Sequence, residues 1–349
     1  MKARHRGFIL VVVLWVLLAL TVMASALAAW VSRTTEQASL MAADTRDLVD
    51  QQSTLATIQF LAATRPLSPS GLFIGEDIAS LLNLSADDPF AGLPLVPPDQ
   101  AMPLDDRPLR GFGETVFGIQ DEQGLLSLRA VNVDLVDRVL EALGVSTFRR
   151  RTLVARLADQ TRHQTAPGLL GAGRREYEIA GYRPLPRRDL LAPLEVRSIL
   201  GWQAEEALWE DHRWRDGTTV LAEGALNVNS APGWLLELLP EFGTAGAAAV
   251  VRQRQGHPIR SLGELNRHTR VPVDTFQYSV NPAPVLRITL WSSQTQRGSR
   301  YHLRLLPFVE VSGPWRIELA YPVYGSRPDI GSGQTLASPF FAASANRDD

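Results

Sequence analysis

From Phe8 to Val31 the chain runs apolar and without a charge. As a helix at 1.5 Å per residue this stretch is about 36 Å long, enough to cross a hydrocarbon core of about 30 Å with some tilt. From Ser32 to Thr64 the composition turns to Ala, Gln, Leu, Thr and Asp, with no Pro or Gly. Leu48, Leu55, Ile58 and Leu61 recur there at helical spacing. The pattern predicts one long helix, apolar first and amphipathic afterwards, ended by Pro66.

Beyond it the pattern changes several times. Pro66 to Arg110 is Pro-rich and reads as irregular, with a short helix around Ile78 to Leu84. Thr115 to Ala130 reads as two strands around the turn Asp121-Glu122-Gln123-Gly124. Asn132 to Ala158 reads as helical, with Val136, Val139, Leu140 and Leu143 on one face and Gly144 as a C-terminal cap. Thr161 to Leu194 reads as loop, and Glu195 to Trp209 as another helix. Then comes Leu226-Asn227-Val228-Asn229-Ser230-Ala231-Pro232, with Ser230 as N-cap and Pro232 in the first turn of a helix over Leu235 to Leu239. Ala245 to Arg254 and Ser261 to Arg267 read as two more helices. The segment echoes an earlier one: Asn132-Val133-Asp134 parallels Asn227-Val228-Asn229, and Leu194 to Ser198 parallels Pro258 to Leu262. Two related helical modules are expected. From Val285 the period becomes two. Leu286, Ile288 and Leu290, then Tyr301, Leu303 and Leu305, then Trp315, Ile317, Leu319 and Tyr321 predict three antiparallel strands with one buried face. Gly325 to Asp349 reads as a frayed tail.

Composition narrows the chemistry. The chain has 349 residues, 45% hydrophobic and 21% charged, with a net charge of -2 and no cysteine. Extensive disorder, a strongly basic nucleic-acid binder, disulfides and thiolate chemistry are all excluded or disfavoured. Lys2, Arg4 and Arg6 precede the apolar run, so the start is expected to stay cytoplasmic and the rest to lie outside. Three readings of this N-terminus stand side by side. It is a secretory signal cleaved near Ala24-Ser25-Ala26, a plain signal anchor, or a prepilin-type leader in which Arg6-Gly7-Phe8 joins a basic stretch directly to the apolar run. No P-loop, paired-histidine zinc motif or Gly-x-Ser-x-Gly elbow occurs, and the six histidines lack ligand spacing. Asp87-Asp88 and Asp105-Asp106 are either calcium-binding or solvated turn residues. Leu235 to Arg252 has the form of a helix-hairpin-helix, a module that can offer backbone N–H groups to a DNA phosphate. Glu241 in the hairpin opposes that role, while Arg252, Arg254, Arg260 and Arg267 favour it.

Together these residues resemble the minor pseudopilin K family of the type II secretion system, also called general secretion pathway protein K. Arg6-Gly7-Phe8 with the run from Val13, Asp121 to Gly124, Gly171-Ala172-Gly173 to Tyr177, and Leu226 to Pro232 carry the resemblance. It implies an α+β fold: a long N-terminal transmembrane helix on an antiparallel sheet, with a large all-helical (SAM/helix-hairpin-helix-like) domain inserted. The segments expected are 1–7 leader, 8–31 transmembrane helix, 32–65 amphipathic continuation, and 66–130 Pro-rich loop with first strands. The helical domain with two modules follows at 131–282, then C-terminal strands at 283–325 and a flexible tail at 326–349. The resemblance also implies a non-catalytic subunit at the tip of a periplasmic pseudopilus, with no catalytic residue, cofactor or metal and no nucleic acid. Its partners would be minor pseudopilins I and J, the prepilin peptidase and the inner-membrane assembly platform. The peptidase would cut between Gly7 and Phe8, and Phe8 would be N-methylated. The chain would span the bacterial inner membrane once, its C-terminal domain periplasmic. Family members carry an acidic calcium-associated stretch after the first module; here only Asp159 matches it. Most pilins have glutamate at the fifth residue after the cleavage site, where this chain has Val12, which suits a first subunit with nothing ahead of it. The alternative is a membrane-anchored DNA-uptake protein using the helical module.

Overall fold

The structure, a computed structural model, describes residues 6–78, 96–129, 133–161, 168–183, 186, 188–210, 212–269, 272–292, 297–310, 313–325, 328 and 340–341. Helix α1 runs unbroken over Arg6–Thr64. Its buried face is Asp47, Gln51, Thr54, Leu55, Ile58, Leu61 and Ala62, stepped by three and four residues. Leu48 does not belong to that face. It is 60% exposed, although Asp47 beside it is buried. The helix stops one residue before Arg65, whose successor Pro66 disfavours helical geometry.

Three short strands follow as a small antiparallel sheet: β1 (Leu67–Ser68), β2 (Gly71–Phe73) and β3 (Ala101–Met102). Most of the helix expected around Ile78 to Leu84, and the pair Asp87-Asp88, lie outside the described residues. The main sheet contains β4 (Leu109–Arg110), β5 (Val116–Asp121), β10 (Val285–Trp291), β11 (Arg297–Glu310) and β12 (Gly313–Tyr324), in the order β12-β11-β10-β5-β4. Ile119 faces Ile288 and Phe117 faces Leu290 across β5–β10, and Leu286 faces Leu303 across β10–β11. These side chains close one core with Leu55, Ile58 and Leu61 of α1.

The opposite face of this sheet is polar yet covered, where a solvated face was expected. Gln120, Arg287, Thr289, Arg300 and His302 are all buried there. The helical body and the turn after β5 supply several of their partners, and the sheet itself supplies others, as where Arg300 Nε donates to Thr289 Oγ1 at 3.1 Å. Arg300 Nη1 donates to Asp216 Oδ1 at 2.7 Å, Arg287 Nη1 to the Asp216 carbonyl at 2.7 Å, and His302 Nδ1 meets Glu122 Oε1 at 2.6 Å. In β12 the period-two reading also breaks. The register shifts between His302 and Leu303, so Ile317 faces Leu303 but Leu319 faces His302. Glu318 is the extra residue of this bulge, and Leu319 and Tyr321 pass to the polar face.

The predicted hairpin over Thr115 to Ala130 does not form. After β5 a 3-10 turn at Glu122–Gly124 sends the chain away, and β6 (Leu126–Ser127) pairs in parallel with β7 (Thr218–Thr219). Leu126 and Leu128 belong to the core of the helical body, which therefore begins before residue 131. The body continues through α2 (Val133–Ala142), α3 (Thr147–Thr161), α4 (Arg174–Ile179) and α5 (Arg213–Gly217) to β7. Then come β8 (Leu226–Asn227), α6 (Gly233–Leu238), α7 (Gly243–Gly256), α8 (Leu262–Leu265) and β9 (Tyr278–Ser279), with β8 and β9 parallel. Gly144 splits the predicted Asn132–Ala158 helix. At φ 84° it ends α2 with Val145 N–H on the Leu140 carbonyl and Gly144 N–H on that of Glu141. α4 interrupts the predicted loop. The helix expected over Glu195 to Trp209 is three 3-10 turns, broken at Gly201 with φ 94°.

Two stretches of the body share a local arrangement, in a register other than the one expected. Leu126-Ser127 corresponds to Leu226-Asn227, and each pair leads seven residues later into a helix. Leu128 N–H reaches the Thr219 carbonyl as Val228 N–H reaches that of Ser279. Glu195 accepts from Leu191 N–H as Glu264 accepts from Arg260 N–H, so Glu195 matches Glu264. Beyond residue 325, Phe341 is buried and stacked on Phe117 at 5.4 Å, and Arg65 lies over Phe340 at 5.3 Å; most of the stretch expected as a flexible tail lies outside the described residues.

Candidate functional site

Two places concentrate the residues singled out from sequence. The first is α1. Gly7 and Phe8 lie in its first turn. Every residue from Leu10 to Arg46 except Ala43 is exposed, Val12 among them. The polar side chains within the apolar part are satisfied inside the helix, since Thr21 and Ser25 hydroxyls donate to the carbonyls of Leu17 and Thr21. Such a helix can meet hydrocarbon without stranding a polar group. It is long and apolar enough to cross a membrane. Above the apolar part, Ala38, Ala42, Thr45, Val49, Ala56 and Phe60 follow helical spacing on the side turned away from the sheet. All six are exposed, and none is charged.

The second place joins the sheet to the helical body. Asp121 ends β5 with its carboxylate fully buried. Oδ2 accepts from Asn227 Nδ2 and Ser230 Oγ, both at 2.8 Å. Oδ1 accepts from Gln123 N–H at 3.0 Å and Ala283 N–H at 3.2 Å. One carboxylate thus holds the strand leaving the sheet, the central loop of the second module and the chain returning to β10. Burial pushes Asp121 up to about 6, against the pull of these hydrogen bonds. Glu122 is held below the usual range: burial raises it, but the neighbouring His302, and then Arg287, outweigh that.

The motif Leu226 to Pro232 is the other half of this junction. Leu226, Val228 and Ala231 fill the core of the body. Asn227 Oδ1 accepts from Asn229 N–H, while Asn229 Nδ2 reaches the Ile259 and Val280 carbonyls at 2.8 Å each. Ser230 is not the N-cap expected. Its hydroxyl is spent on Asp121, its carbonyl accepts from Gln120 Nε2, and Pro232 occupies the cap position without a side-chain hydrogen bond. Gly124 is needed here because a Cβ would sit 2.6 Å from the Ser230 carbonyl carbon. Asp121 to Gly124 and Leu226 to Pro232, two stretches quoted together from sequence, therefore touch each other. The signal missed was Asp121 itself, which reads as an ordinary turn residue.

Other candidates are placed elsewhere. Asp105 binds Arg107 through both oxygens, Asp106 pairs with Arg287, and Asp159 accepts from Gly168 N–H. Among the described residues no group of three or more acidic or histidine side chains is arranged to hold a metal. In the hairpin-helix module Glu241 is buried against Arg138, Arg254 turns inward to the Val228 and Ala231 carbonyls, and Arg267 pairs with Glu264. Arg252 and Arg260 remain at the surface.

No family model and no curated protein matches the chain. Among solved structures, it is similar to one described as "The Crystal Structure of the GspK-GspI-GspJ complex from enterotoxigenic Escherichia coli Type 2 Secretion System", at 15% identity and a TM-score of 0.47, covering 81% of this chain and 100% of that one.

Proposed function

We propose that this chain is a non-catalytic minor pseudopilin, anchored by α1 in the bacterial inner membrane with its sheet and helical body in the periplasm. In this reading it caps the tip of a type II secretion pseudopilus, beside minor pseudopilins I and J, and helps initiate assembly by the inner-membrane platform. The observation that carries the reading is α1 itself: one unbroken helix from the leader to the sheet, bare over its apolar part and bearing an uncharged exposed stripe above it. A helix bare on all sides beyond a membrane is marginal alone and gains stability by packing against others. The segment limits given above, including leader and helical insert, belong to the same proposal.

Processing tests it first. Membrane-extracted protein should begin at Phe8, N-methylated, after cleavage at Gly7. A start at Met1, or beyond Ala26, overturns the proposal. Val12 tests the position. Valine has no carboxylate to pair with the amine of a subunit ahead, and a buried carboxylate would cost a few kcal/mol. Val12→Glu should therefore assemble no better than wild type, and deletion of the protein should reduce filament initiation. Wild-type protein found at regular intervals along the shaft overturns the tip assignment.

A further inference from the structure

The apolar core of the helical body and the core between α1 and the sheet share no residue. Between them lies the buried polar face of the sheet, and its long side chains are each held twice. Arg287 Nη1 crosses to the Asp216 carbonyl at 2.7 Å, while its Nη2 reaches Asp106, just before β4, at 3.2 Å. Arg300 Nη1 crosses to Asp216 Oδ1 at 2.7 Å, while its Nε reaches the Thr289 hydroxyl of β10 at 3.1 Å. His302 meets Glu122 through Nδ1 and the Tyr321 hydroxyl of β12 through Nε2. Gln120 Nε2 donates to the Ser230 carbonyl and to that of Asp121 beside it. On the body's side Asp216 also binds Arg215 through both oxygens at 3.1 Å, and Glu122 has the Thr219 hydroxyl beside it. Stripping a buried ion of its only partner is costly, but here separation leaves each of these groups a partner on its own side. Closure is also imperfect: Arg287 Nε is buried without an acceptor among the described residues, and water would satisfy it on opening.

The chain crosses this seam at two adjacent points. On the way out, Asp121 N–H is still bonded to the Leu104 carbonyl, whereas Gln123 Nε2 already reaches the Ala225 carbonyl in the body. On the way back, the Pro284 carbonyl accepts from Leu305 N–H of β11 at 2.7 Å. Asp121 and Leu286 are paired across β5–β10, so both crossings leave the same end of neighbouring strands. Arg300 pairs with Thr289, three residues further along β10, and meets Asp216 there. Two adjacent crossings with a polar contact at a distance from them make a hinge and a catch. We propose that the helical body is a hinged unit with two states on the sheet, closed as described and open with the seam hydrated, and that Asp216 is the latch between them. Opening turns Arg287, Arg300 and His302 of the sheet toward solvent.

The test uses the full-length protein in detergent. The chain has no cysteine, so Ala320→Cys on β12 and Glu237→Cys on α6, both exposed, can carry a pair of spin labels. Pulsed electron spin resonance reads the distance between sheet and body. Asp216→Asn should raise the population at a second, longer distance several-fold, and Arg300→Gln, from the other side of the seam, should do the same. Trp202 and Trp214, buried in the body with ring centroids 5.7 Å apart, report whether it stays packed. Their near-ultraviolet circular dichroism should be unchanged in both variants. No second distance in either variant, or one that appears only together with loss of the tryptophan signal, overturns the proposal. Neither outcome bears on the pseudopilin reading, which rests on processing and assembly.

Discussion

Asp121 shows how much one side chain can organise. Its carboxyl titrates at about 6 in the fold against a reference of 3.8, so the folded state holds the proton more tightly than the unfolded chain. Its stabilising contribution is then fully present below about pH 4 and is lost as pH rises through 6. At 1.36 kcal/mol per unit the loss is about 3 kcal/mol. Urea unfolding at pH 4.5, 6 and 7.5 should show that slope, and Asp121→Asn should remove it. Asp121→Ala strands four donors, from Gln123, Asn227, Ser230 and Ala283, and should cost at least about 3 kcal/mol at pH 5. At this scale the sequence conveyed that Leu226 to Pro232 was a motif but not what it does. Ser230 has the chemistry of an N-cap, and nothing local reveals a partner 109 residues away.

At the scale of elements, strong periodicity was legible and short pairings were not. The 3.6-residue pattern announced α1 and α2, and the period of two announced β10 and β11. The two-residue parallel bridges β6–β7 and β8–β9 left no signature, because two residues are too few to show a period. The same holds for the bulge at Glu318, which swaps the faces of β12 halfway along. β12 is also the outer strand of the main sheet, an edge that other chains could extend. Pro322, exposed and opposite Ser299, removes one backbone donor from it. Pro322→Val should restore the donor and raise the self-associated fraction measured by sedimentation velocity. An unchanged monomer peak would mean that the bulge alone guards this edge.

On the scale of the whole molecule, among the described residues, α1 is covered by the rest of the chain from Ala43 onward and keeps its outward stripe exposed. Ala42→Glu and Val49→Glu fall on that stripe, away from the core, so unfolding free energy should change by no more than about 0.5 kcal/mol. If the chain assembles as proposed, recovery of pseudopilin partners with the membrane-extracted protein should nevertheless drop several-fold. A loss of both stability and recovery would count against an assembly role for the stripe. The placement of the helical body has a different kind of consequence, one of order in time. β5 and β10 are neighbours in the sheet, yet 163 residues separate Asp121 from Val285. During synthesis β5 has α1 and β4 beside it but waits for its β10 partner until the whole insert has emerged. Closing so long a loop at random is slow. The helical pairs α2–α3 and α6–α7 need only local contacts, so they can form first. Once the second module is built, it presents Asn227 and Ser230 to Asp121 and delivers Ala283 to the same carboxylate. The insert then acts as the splint on which the sheet is completed. A substitution that loosens only the helical body, such as Leu236→Ala, should therefore slow formation of the β5–β10 pair, although it touches neither strand.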